Sequence, residues 1–327
     1  MCTHINISSN ENNFYWGRTL DINFNPFDIN SKITIVPKNF TLDTETDPWK
    51  TKYSFIGINL CGTTLFLDGL NEKGLAGGLL FLKACTWCPK ENIINDNLIP
   101  VNSGEIVPYI LSNFETVEEI KENISKIAVT SEDIKALGDL GKNSPITAHY
   151  TFTDKSGKSI VIEPTDNGKF RVFDNLVGVM TNDPTYDWHI TNLSNYIQIQ
   201  ECNRKPNKLN QYIEIEASSN GSGLLGLPGD YTSPSRFVRA SYLRNLTVKT
   251  NDKETPASLF SILNTVCIPK GTERLKEGKD EWFFTSYMSV YDQNLGKIYL
   301  RLFNRIETLE FSLDNVKEGE LVIYSID

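Results

Sequence analysis

The chain has 327 residues, of which 39% are apolar, and a formal net charge of −9 at pH 7. This acidic balance argues against nucleic acid as a partner, because phosphate binding needs clustered Lys and Arg. No run of about 18 apolar residues predicts a membrane span, and no basic start followed by an apolar stretch predicts a secretion signal. We therefore expect a cytoplasmic protein that contacts neither nucleic acid nor membrane.

In the first part of the chain, strand patterns come before helix patterns. Apolar and polar side chains alternate over residues 2–8 and 13–18 on either side of an Asn-rich turn, which is typical of a β-hairpin. Apolar residues at helical spacing predict helices over 105–114 and after Thr116, where Thr116 and Glu119 fit a capping box. Further strands are predicted between the hairpin and the first helix, at 33–37, 53–58, 64–67 and 76–81, with a turn at 68–75.

The second part repeats this order and ends in strands. Residues 200–230 are rich in Asn, Ser, Gly and Pro and predict a long loop. Blocks of strands separated by pairs of helices predict an α+β layered sandwich, and no break in composition divides residues 2–327 into two domains. The strands are expected at 149–153, 159–163, 169–173, 177–181, 282–290, 297–303, 308–311 and 321–324, and the helices after Pro184 and at 235–249 and 256–266.

Cys2 directly follows the initiator Met1. Its side chain is small, so we expect Met1 to be removed, which would leave an α-amine and a thiol on one residue. A terminal amine can act as the base that activates the thiol as a nucleophile. Arg18 and Asp21 follow in the second strand of the hairpin, where a guanidinium favours a thiolate and a carboxylate can orient the amine. The alternative is a small second residue beside a solvated turn.

Cys85 and Cys88 form a C-x-x-C pattern. A redox motif of this type needs a strand before it and a helix start at it, whereas Pro89 follows here and the region is typical of a loop. A zinc site needs a second pair of ligands, but the other cysteines and the three histidines are scattered along the chain. We expect neither a metal nor any other cofactor.

Five motifs, in the same order, resemble the choloylglycine hydrolase family, which contains the bile salt hydrolases and the penicillin V acylases. The resemblance runs from residue 2 to beyond Tyr287. It implies an N-terminal-nucleophile hydrolase with a four-layer αββα sandwich and a homotetrameric assembly. The motifs are Met1–Thr3, Gly17–Asp21, Asn71–Leu75, Gly178–His189 and Gly226–Phe237.

The resemblance also implies roles for individual residues. Cys2 would attack a linear amide and, through its own amine, act as the base. Arg18 would favour the thiolate, and Asp21 would hold the amine. Asn182 would donate its side-chain amide to the oxyanion, and Arg236 would complete the polar network beside the sulfur.

The position of Phe81 bears on the substrate. The family's second oxyanion donor is a backbone N–H, which falls on Phe81, and any residue type can supply it. Bile salt hydrolases usually carry Asn at this position and penicillin V acylases carry Tyr, so the aromatic ring favours the latter. Leu20, Phe24 and Trp87 are expected nearby, in a pocket that suits a flat phenoxyacetyl group.

The sequence therefore favours a small-molecule amide as substrate and penicillin V acylase-like activity, which releases an aryloxy- or fatty-acyl group from an amine. Bile salt hydrolysis, the deconjugation of glycine- or taurine-linked bile acids, is the alternative. A third class is a catalytically silent binding protein on the same fold. The family chemistry needs no imidazole, so we expect His149 and His189 to be structural.

Overall fold

A computed structural model describes residues 1–141 and 145–326 of the chain. Two β-sheets stack face to face, and helices cover their outer faces, which gives four layers in the order αββα. This is the predicted fold class. The α-helices are α1 Lys90–Asn95, α2 Ile106–Asn113, α3 Val117–Asn123, α4 Tyr186–Asn192, α5 Ser233–Leu246 and α6 Thr255–Asn264.

The first sheet contains the start of the chain. Its strands, numbered in chain order through the whole protein, run β14–β1–β2–β18–β19–β20, with β17 also paired to β18, and all pairs are antiparallel. Helices α5 and α6 pack on its outer face. The strands are β1 Cys2–Ser8, β2 Phe14–Ile22, β14 Val179–Met180, β17 Glu273–Arg274, β18 Trp282–Asp292, β19 Lys297–Leu302 and β20 Leu309–Ser312.

The second sheet runs in the order β13–β12–β11–β8–β7–β6–β3–β21, and α2 packs on its outer face. Its strands are β3 Ile33–Val36, β6 Phe55–Asn59, β7 Phe66–Asn71, β8 Ala76–Phe81, β11 Ala148–Thr153, β12 Ser159–Asp166, β13 Lys169–Asp174 and β21 Val322–Tyr324. The remaining strands form small two-stranded pairs, β4 Thr41–Leu42 with β5 Trp49–Lys50, β9 Ile99–Asn102 with β10 Ile127–Thr130, and β15 Asn207–Lys208 with β16 Glu214–Ile215.

The two sheets approach each other closely at β8. A Cβ atom on Gly78 would lie 2.9 Å from the Trp16 ring and 2.9 Å from the Asp68 side chain. Trp16 in turn packs edge-on against Tyr291, with ring centroids 5.5 Å apart. Glycine at this position therefore lets side chains of the first sheet reach β7 and β8 of the second.

Several sequence predictions fit the structure and others do not. The hairpin of β1 and β2 is confirmed, and residues 200–230 form an extended segment with one small hairpin. The turn predicted at 68–75 is wrong in its first half, because β7 continues to Asn71 and places Asp68 inside a buried strand. The helix expected at 235–249 spans Ser233–Leu246, and α1 was not predicted.

Across residues 1–141 and 145–326, no helix is both long and apolar enough to cross a membrane.

Candidate active site

Cys2 lies at the start of β1, an interior strand of the first sheet between β14 and β2. It pairs with Leu20 on β2, and in a strand alternate side chains point to opposite faces. Cys2, Leu20 and Arg18 therefore share the face that packs against the second sheet. Thr3 and Asp21 share the opposite face, against α5 and α6. Side chains from both faces of the sheet therefore lie close to the first residue of β1, which is Cys2.

Arg18 contacts the sulfur from the inner face. Its Nη2 donates to Cys2 Sγ at 2.7 Å, and its Nη1 donates to the carbonyls of Leu67 at 3.1 Å and Leu79 at 2.8 Å. The residue is fully buried. Burial alone lowers the pKa of Arg18, but the neighbouring Cys2 and other acidic groups outweigh it and raise that pKa above the usual value. The guanidinium is thus a fixed positive charge next to the thiol.

Asp68 is the buried counter-charge of Arg18, although its local sequence predicts a turn. Its Oδ2 lies 3.3 Å from Arg18 Nη1, and it accepts hydrogen bonds from the hydroxyls of Tyr287 and Tyr291. Burial raises the pKa of Asp68, and Arg18 and the two tyrosines oppose that shift. A carboxylate with three donors holds the guanidinium in one orientation.

Asn182 bridges the backbone of Cys2 to the second sheet. The Cys2 N–H donates to Asn182 Oδ1 at 2.7 Å, and Asn182 Nδ2 donates to the carbonyl of Phe81 at 2.8 Å. An amide nitrogen carries two hydrogens, so one N–H of Asn182 remains beyond the bond to Phe81. The N–H and C=O of one strand residue point the same way, so the Phe81 N–H faces the same side as its carbonyl.

Arg236, on the first turn of α5, contacts the site from the outer face. Its Nη1 donates to the carbonyl of Cys2 and to Thr3 Oγ1, both at 2.6 Å, and its Nη2 donates to Asn182 Oδ1 at 2.8 Å. Its Nε donates to the carbonyl of Tyr231 at 2.9 Å. Burial lowers the pKa of Arg236. This one side chain fixes both the main chain of Cys2 and the amide of Asn182.

Asp21 lies on the same outer face. Its carboxylate accepts from Thr19 Oγ1 at 3.1 Å and Thr285 Oγ1 at 2.6 Å, and it is 3.8 Å from Arg236 Nη1. Met1 is attached in this structure, and its α-amine donates to the backbone carbonyl of Asp21 at 2.5 Å. The role of Asp21 in holding the α-amine of a processed Cys2 therefore stays a prediction.

The loop before α4 and the loop after β8 are tied together at the mouth of the site. The carboxylate of Asp183 accepts from the N–H groups of Lys83 at 2.8 Å and Ala84 at 3.2 Å. Asp183 directly follows Asn182, and Lys83 comes two residues after Phe81. Both segments that supply candidate oxyanion donors are therefore joined by a second contact.

The residues predicted to bind substrate have different environments. Phe81 is 44% exposed and Phe24 is 40% exposed, whereas Leu20 is buried in the core opposite Cys2. Trp87 is half-buried and packs against the main core. Phe81 is joined to the site through its bond to Asn182, and Leu20 through its pairing with Cys2. The hydrogen bonds and ring contacts among the described residues do not join Phe24 or Trp87 to it.

Cys85 and Cys88 lie in the loop between β8 and α1, and both are buried free thiols. Burial raises the pKa of Cys85 to about 11. Among the residues that the structure describes, no group of three His, Cys, Asp or Glu side chains is placed to hold a metal ion.

Two stacked sheets between helices, with a cysteine at the start of an interior strand, define the class of N-terminal-nucleophile hydrolases. The family model of linear amide C–N hydrolases, choloylglycine hydrolase family, matches residues 2–324. The chain therefore belongs to the choloylglycine hydrolase family and is a hydrolase of linear amides.

The chain is similar to proteins of both activities in this family. A bile salt hydrolase/transferase of Clostridium perfringens is 33% identical over 99% of this chain and 96% of its own length. The crystal structure of a mutant conjugated bile acid hydrolase from the same organism covers 100% of this chain and 97% of its own, at 31% identity and a TM-score of 0.88. A penicillin V acylase of Pectobacterium atrosepticum is 26% identical over 68% of this chain and 57% of its own.

Proposed function

We propose that this chain is a cysteine amidohydrolase that deconjugates bile salts, with Cys2 as the N-terminal nucleophile. The observation that carries the proposal is the convergence on Cys2. Its sulfur is 2.7 Å from Arg18, and its nitrogen is 2.7 Å from Asn182 Oδ1. Similarity to bile salt hydrolases over nearly the whole length of both chains supports the choice of substrate.

The reaction begins at the processed amino terminus. After removal of Met1, the α-amine of Cys2 takes the proton of the thiol, and the adjacent charge of Arg18 favours the thiolate. The sulfur then attacks the carbonyl carbon of the amide. The amine returns its proton to the leaving nitrogen as the C–N bond breaks, and water hydrolyses the thioester that remains.

In the proposed reaction, two N–H groups stabilise the oxyanion. They are the second amide hydrogen of Asn182 and the backbone N–H of Phe81, and loss of one such donor typically reduces turnover by about 10²–10³-fold. Both the Cys2 N–H and Arg236 Nη2 donate to Asn182 Oδ1. Donation to the oxygen of an amide polarises it and strengthens its own N–H as a donor.

The preference for penicillin V that Phe81 suggests is a second candidate. Two observations support it. The aromatic ring of Phe81 is 44% exposed, and the carbonyl of the same residue accepts a hydrogen bond from Asn182. Against it, the similarity to a penicillin V acylase covers a smaller part of both chains at lower identity than the similarity to bile salt hydrolases. We therefore place bile salts first and reverse the order that the sequence favoured.

We also propose an oligomeric state and a cellular compartment for the enzyme. Residues 2–327 act as one domain in a homotetramer, for which exposed apolar side chains on the segment 197–225 provide a contact surface. The six cysteines are free thiols, in keeping with a reducing compartment such as the cytoplasm.

The test compares the wild type with Cys2→Ala in assays of glycine- and taurine-conjugated bile acids, penicillin V and N-acyl amino acids. We expect the wild type to act fastest on conjugated bile acids, from which it releases glycine or taurine. The variant should be inactive, and its thermal unfolding should be unchanged. Intact mass must show loss of Met1 in active protein. Full activity in the variant, or in a chain that keeps Met1, would refute the mechanism. A processed chain that binds these compounds without turnover would support the silent binding protein instead.

A further inference from the structure

Two buried histidines, which have no role in the proposed reaction, form hydrogen bonds to the backbone of the segment that carries Asn182. His149 Nε2 lies 3.0 Å from the carbonyl oxygen of Thr181, and His189 Nε2 lies 2.8 Å from the carbonyl oxygen of Asn182. Each histidine is 1% exposed. A carbonyl oxygen only accepts hydrogen bonds, so both Nε2 atoms carry the proton and donate.

His149, on β11, is oriented by Glu163 on the neighbouring strand β12. Its Nδ1 lies 3.1 Å from Glu163 Oε1, and the same oxygen accepts the backbone N–H of Tyr186 at 2.9 Å. Glu163 Oε1 thus contacts both the ring of His149 and the backbone of Tyr186, the first residue of α4. The contact with Glu163 on one side of the ring and with the Thr181 carbonyl on the other fixes the orientation of His149.

His189, on α4, is oriented by stacking. Its ring lies 4.6 Å from that of Phe237 with an angle of 18° between the planes. Burial lowers the pKa of His189 to about 4, so the ring is neutral near pH 7. A neutral imidazole has one N–H, and the carbonyl of Asn182 holds it on Nε2.

The two carbonyls belong to the peptide groups on either side of Asn182. Because a peptide group is planar, fixing the groups before and after a residue fixes both of its backbone dihedrals. The peptide group between Thr181 and Asn182 has a second partner, because its N–H donates to Ser233 Oγ at 2.9 Å. The direction of the Asn182 side chain therefore depends on these partners.

We propose that His149, Glu163 and His189 are positioning residues that hold the side-chain amide of Asn182 where the oxyanion forms. This inference rests on the proposed function and deepens it. A donor displaced by about 1 Å can lower turnover by about 10²-fold, whereas binding of the substrate body depends on other contacts. The effect should therefore fall on kcat more than on KM.

The test separates the oxyanion step from the nucleophile. The variants are His149→Ala and His189→Phe, which remove the donor (the latter keeps a ring against Phe237), and His149→Gln and His189→Gln, which keep an N–H donor. Each is assayed for amide hydrolysis and for alkylation of Cys2 by iodoacetamide. In that alkylation the thiolate forms a C–S bond and displaces iodide, with no oxyanion on a carbonyl.

We expect His149→Ala and His189→Phe to lower kcat by roughly 10–100-fold while the rate of alkylation changes by less than about twofold. The Gln variants should recover part of kcat. Tyr150→Phe is the matched control, because Tyr150 lies next to His149 on the opposite face and its hydroxyl donates to the carbonyl of Ser103 at 2.7 Å. It should change the temperature of unfolding and leave the ratio of hydrolysis to alkylation unchanged.

Two results would overturn the inference. One is an unchanged kcat in folded His149→Ala and His189→Phe. The other is a parallel fall of hydrolysis and alkylation, which would mean a general loss of structure. If His149→Ala does not fold, the inference is tested with His149→Gln and the two His189 variants. The same ratio of amide hydrolysis to Cys2 alkylation is measured for them. A wild type without amidase activity would refute the proposed function and this inference together, whereas an active wild type with unaffected variants would refute the inference alone.

Discussion

Two buried arginines contact Cys2 from opposite faces of one sheet, and each has a separate task. Arg18 bonds the sulfur from the inner face, while Arg236 bonds the carbonyl of Cys2 from the outer face. Because Arg18 is paired with Asp68 and Arg236 lies near Asp21, both charges are compensated within the core. Isolated buried charges would be strongly unfavourable, so these carboxylates are as necessary as the arginines.

Exchange of the exposed side chain at Phe81 is expected to change substrate preference. Phe81→Asn keeps the backbone N–H but replaces an aromatic surface with hydrogen-bonding groups. The ratio of kcat/KM for conjugated bile acids to that for penicillin V should rise by about fivefold to tenfold, the effect of roughly 1 kcal/mol. Steady-state kinetics on both substrates measure this ratio. Ile306→Asn, at a fully exposed apolar residue, is the control. Equal ratios in all three proteins would remove Phe81 from the substrate pocket.

The buried carboxyl of Glu105 is expected to make stability depend on pH. Burial raises the pKa of Glu105 to about 7, and its Oε1 accepts from the N–H of Glu45 and from Thr64 Oγ1. A carboxyl whose pKa is higher in the folded state binds its proton more tightly there, so stability falls as pH rises from about 4.5 to about 7.

Glu105→Gln removes this titration and keeps an acceptor for both donors. Between pH 5 and pH 8, the free energy of unfolding of the wild type should fall by about 1–3 kcal/mol more than that of the variant. Denaturant unfolding at the two pH values measures the difference. Glu122→Gln, at an exposed carboxyl, should behave as the wild type. Parallel curves for wild type and Glu105→Gln would contradict the prediction.

At the scale of elements, the contact between β8 and the first sheet is set by the absence of a side chain. A Cβ on Gly78 would meet Asp68, the backbone of Leu67 and the Trp16 ring, all at 2.9 Å. Asp68 orients Arg18, so a shift of β8 or β7 would also move the guanidinium from the sulfur. Packing and chemistry are therefore coupled at this strand.

Gly78→Ala should lower the free energy of unfolding by about 1–3 kcal/mol and lower amidase activity as well, because overpacking displaces Asp68. Gly229→Ala is the matched control, since a Cβ there has no atom within 4 Å among the described residues. Denaturant unfolding and substrate hydrolysis are measured on both. Wild-type stability in Gly78→Ala would show that the sheets can separate without loss.

The local sequence pattern predicted some structural elements correctly and others incorrectly. The hairpin of β1 and β2 was predictable because alternation of apolar and polar residues is the signal of a half-buried strand. Asp68 was assigned to a turn because Asp, Gly and Asn are typical of turns. In the fold, the carboxylate is stabilised inside β7 by Arg18, which lies 50 positions away in the sequence. Tertiary pairing thus outweighed local propensity.

At the scale of the whole molecule, one extended segment, residues 197–225, exposes several large apolar side chains. Ile197, Tyr212 and Leu225 are 83%, 85% and 72% exposed, and Tyr212 lies in the turn of the small hairpin of β15 and β16. Exposed apolar surface of this kind is typical of protein contacts. We infer that this segment contributes to the proposed tetramer.

Tyr212→Asp combined with Ile215→Asp should therefore reduce the mass in solution from four copies of the 37.0 kDa chain to fewer. Light scattering after size-exclusion chromatography measures the mass. Leu295→Asp, an exposed apolar residue in the turn between β18 and β19, is the control and should leave the assembly intact. A wild type that elutes as a monomer would refute the tetramer, and an unaffected double variant would exclude this segment.

The sequence by itself determined most of the strand and helix pattern, the cysteine behind the initiator methionine and the motifs that mark the family, because each of these is local in the chain. The tertiary structure alone decided that Asp68 pairs with Arg18 and that His149 and His189 hold the backbone on either side of Asn182. The physical reason is distance along the chain. Arg236 bonds the carbonyl of Cys2 across 234 positions, and only strand register and the stacking of two sheets bring such residues together.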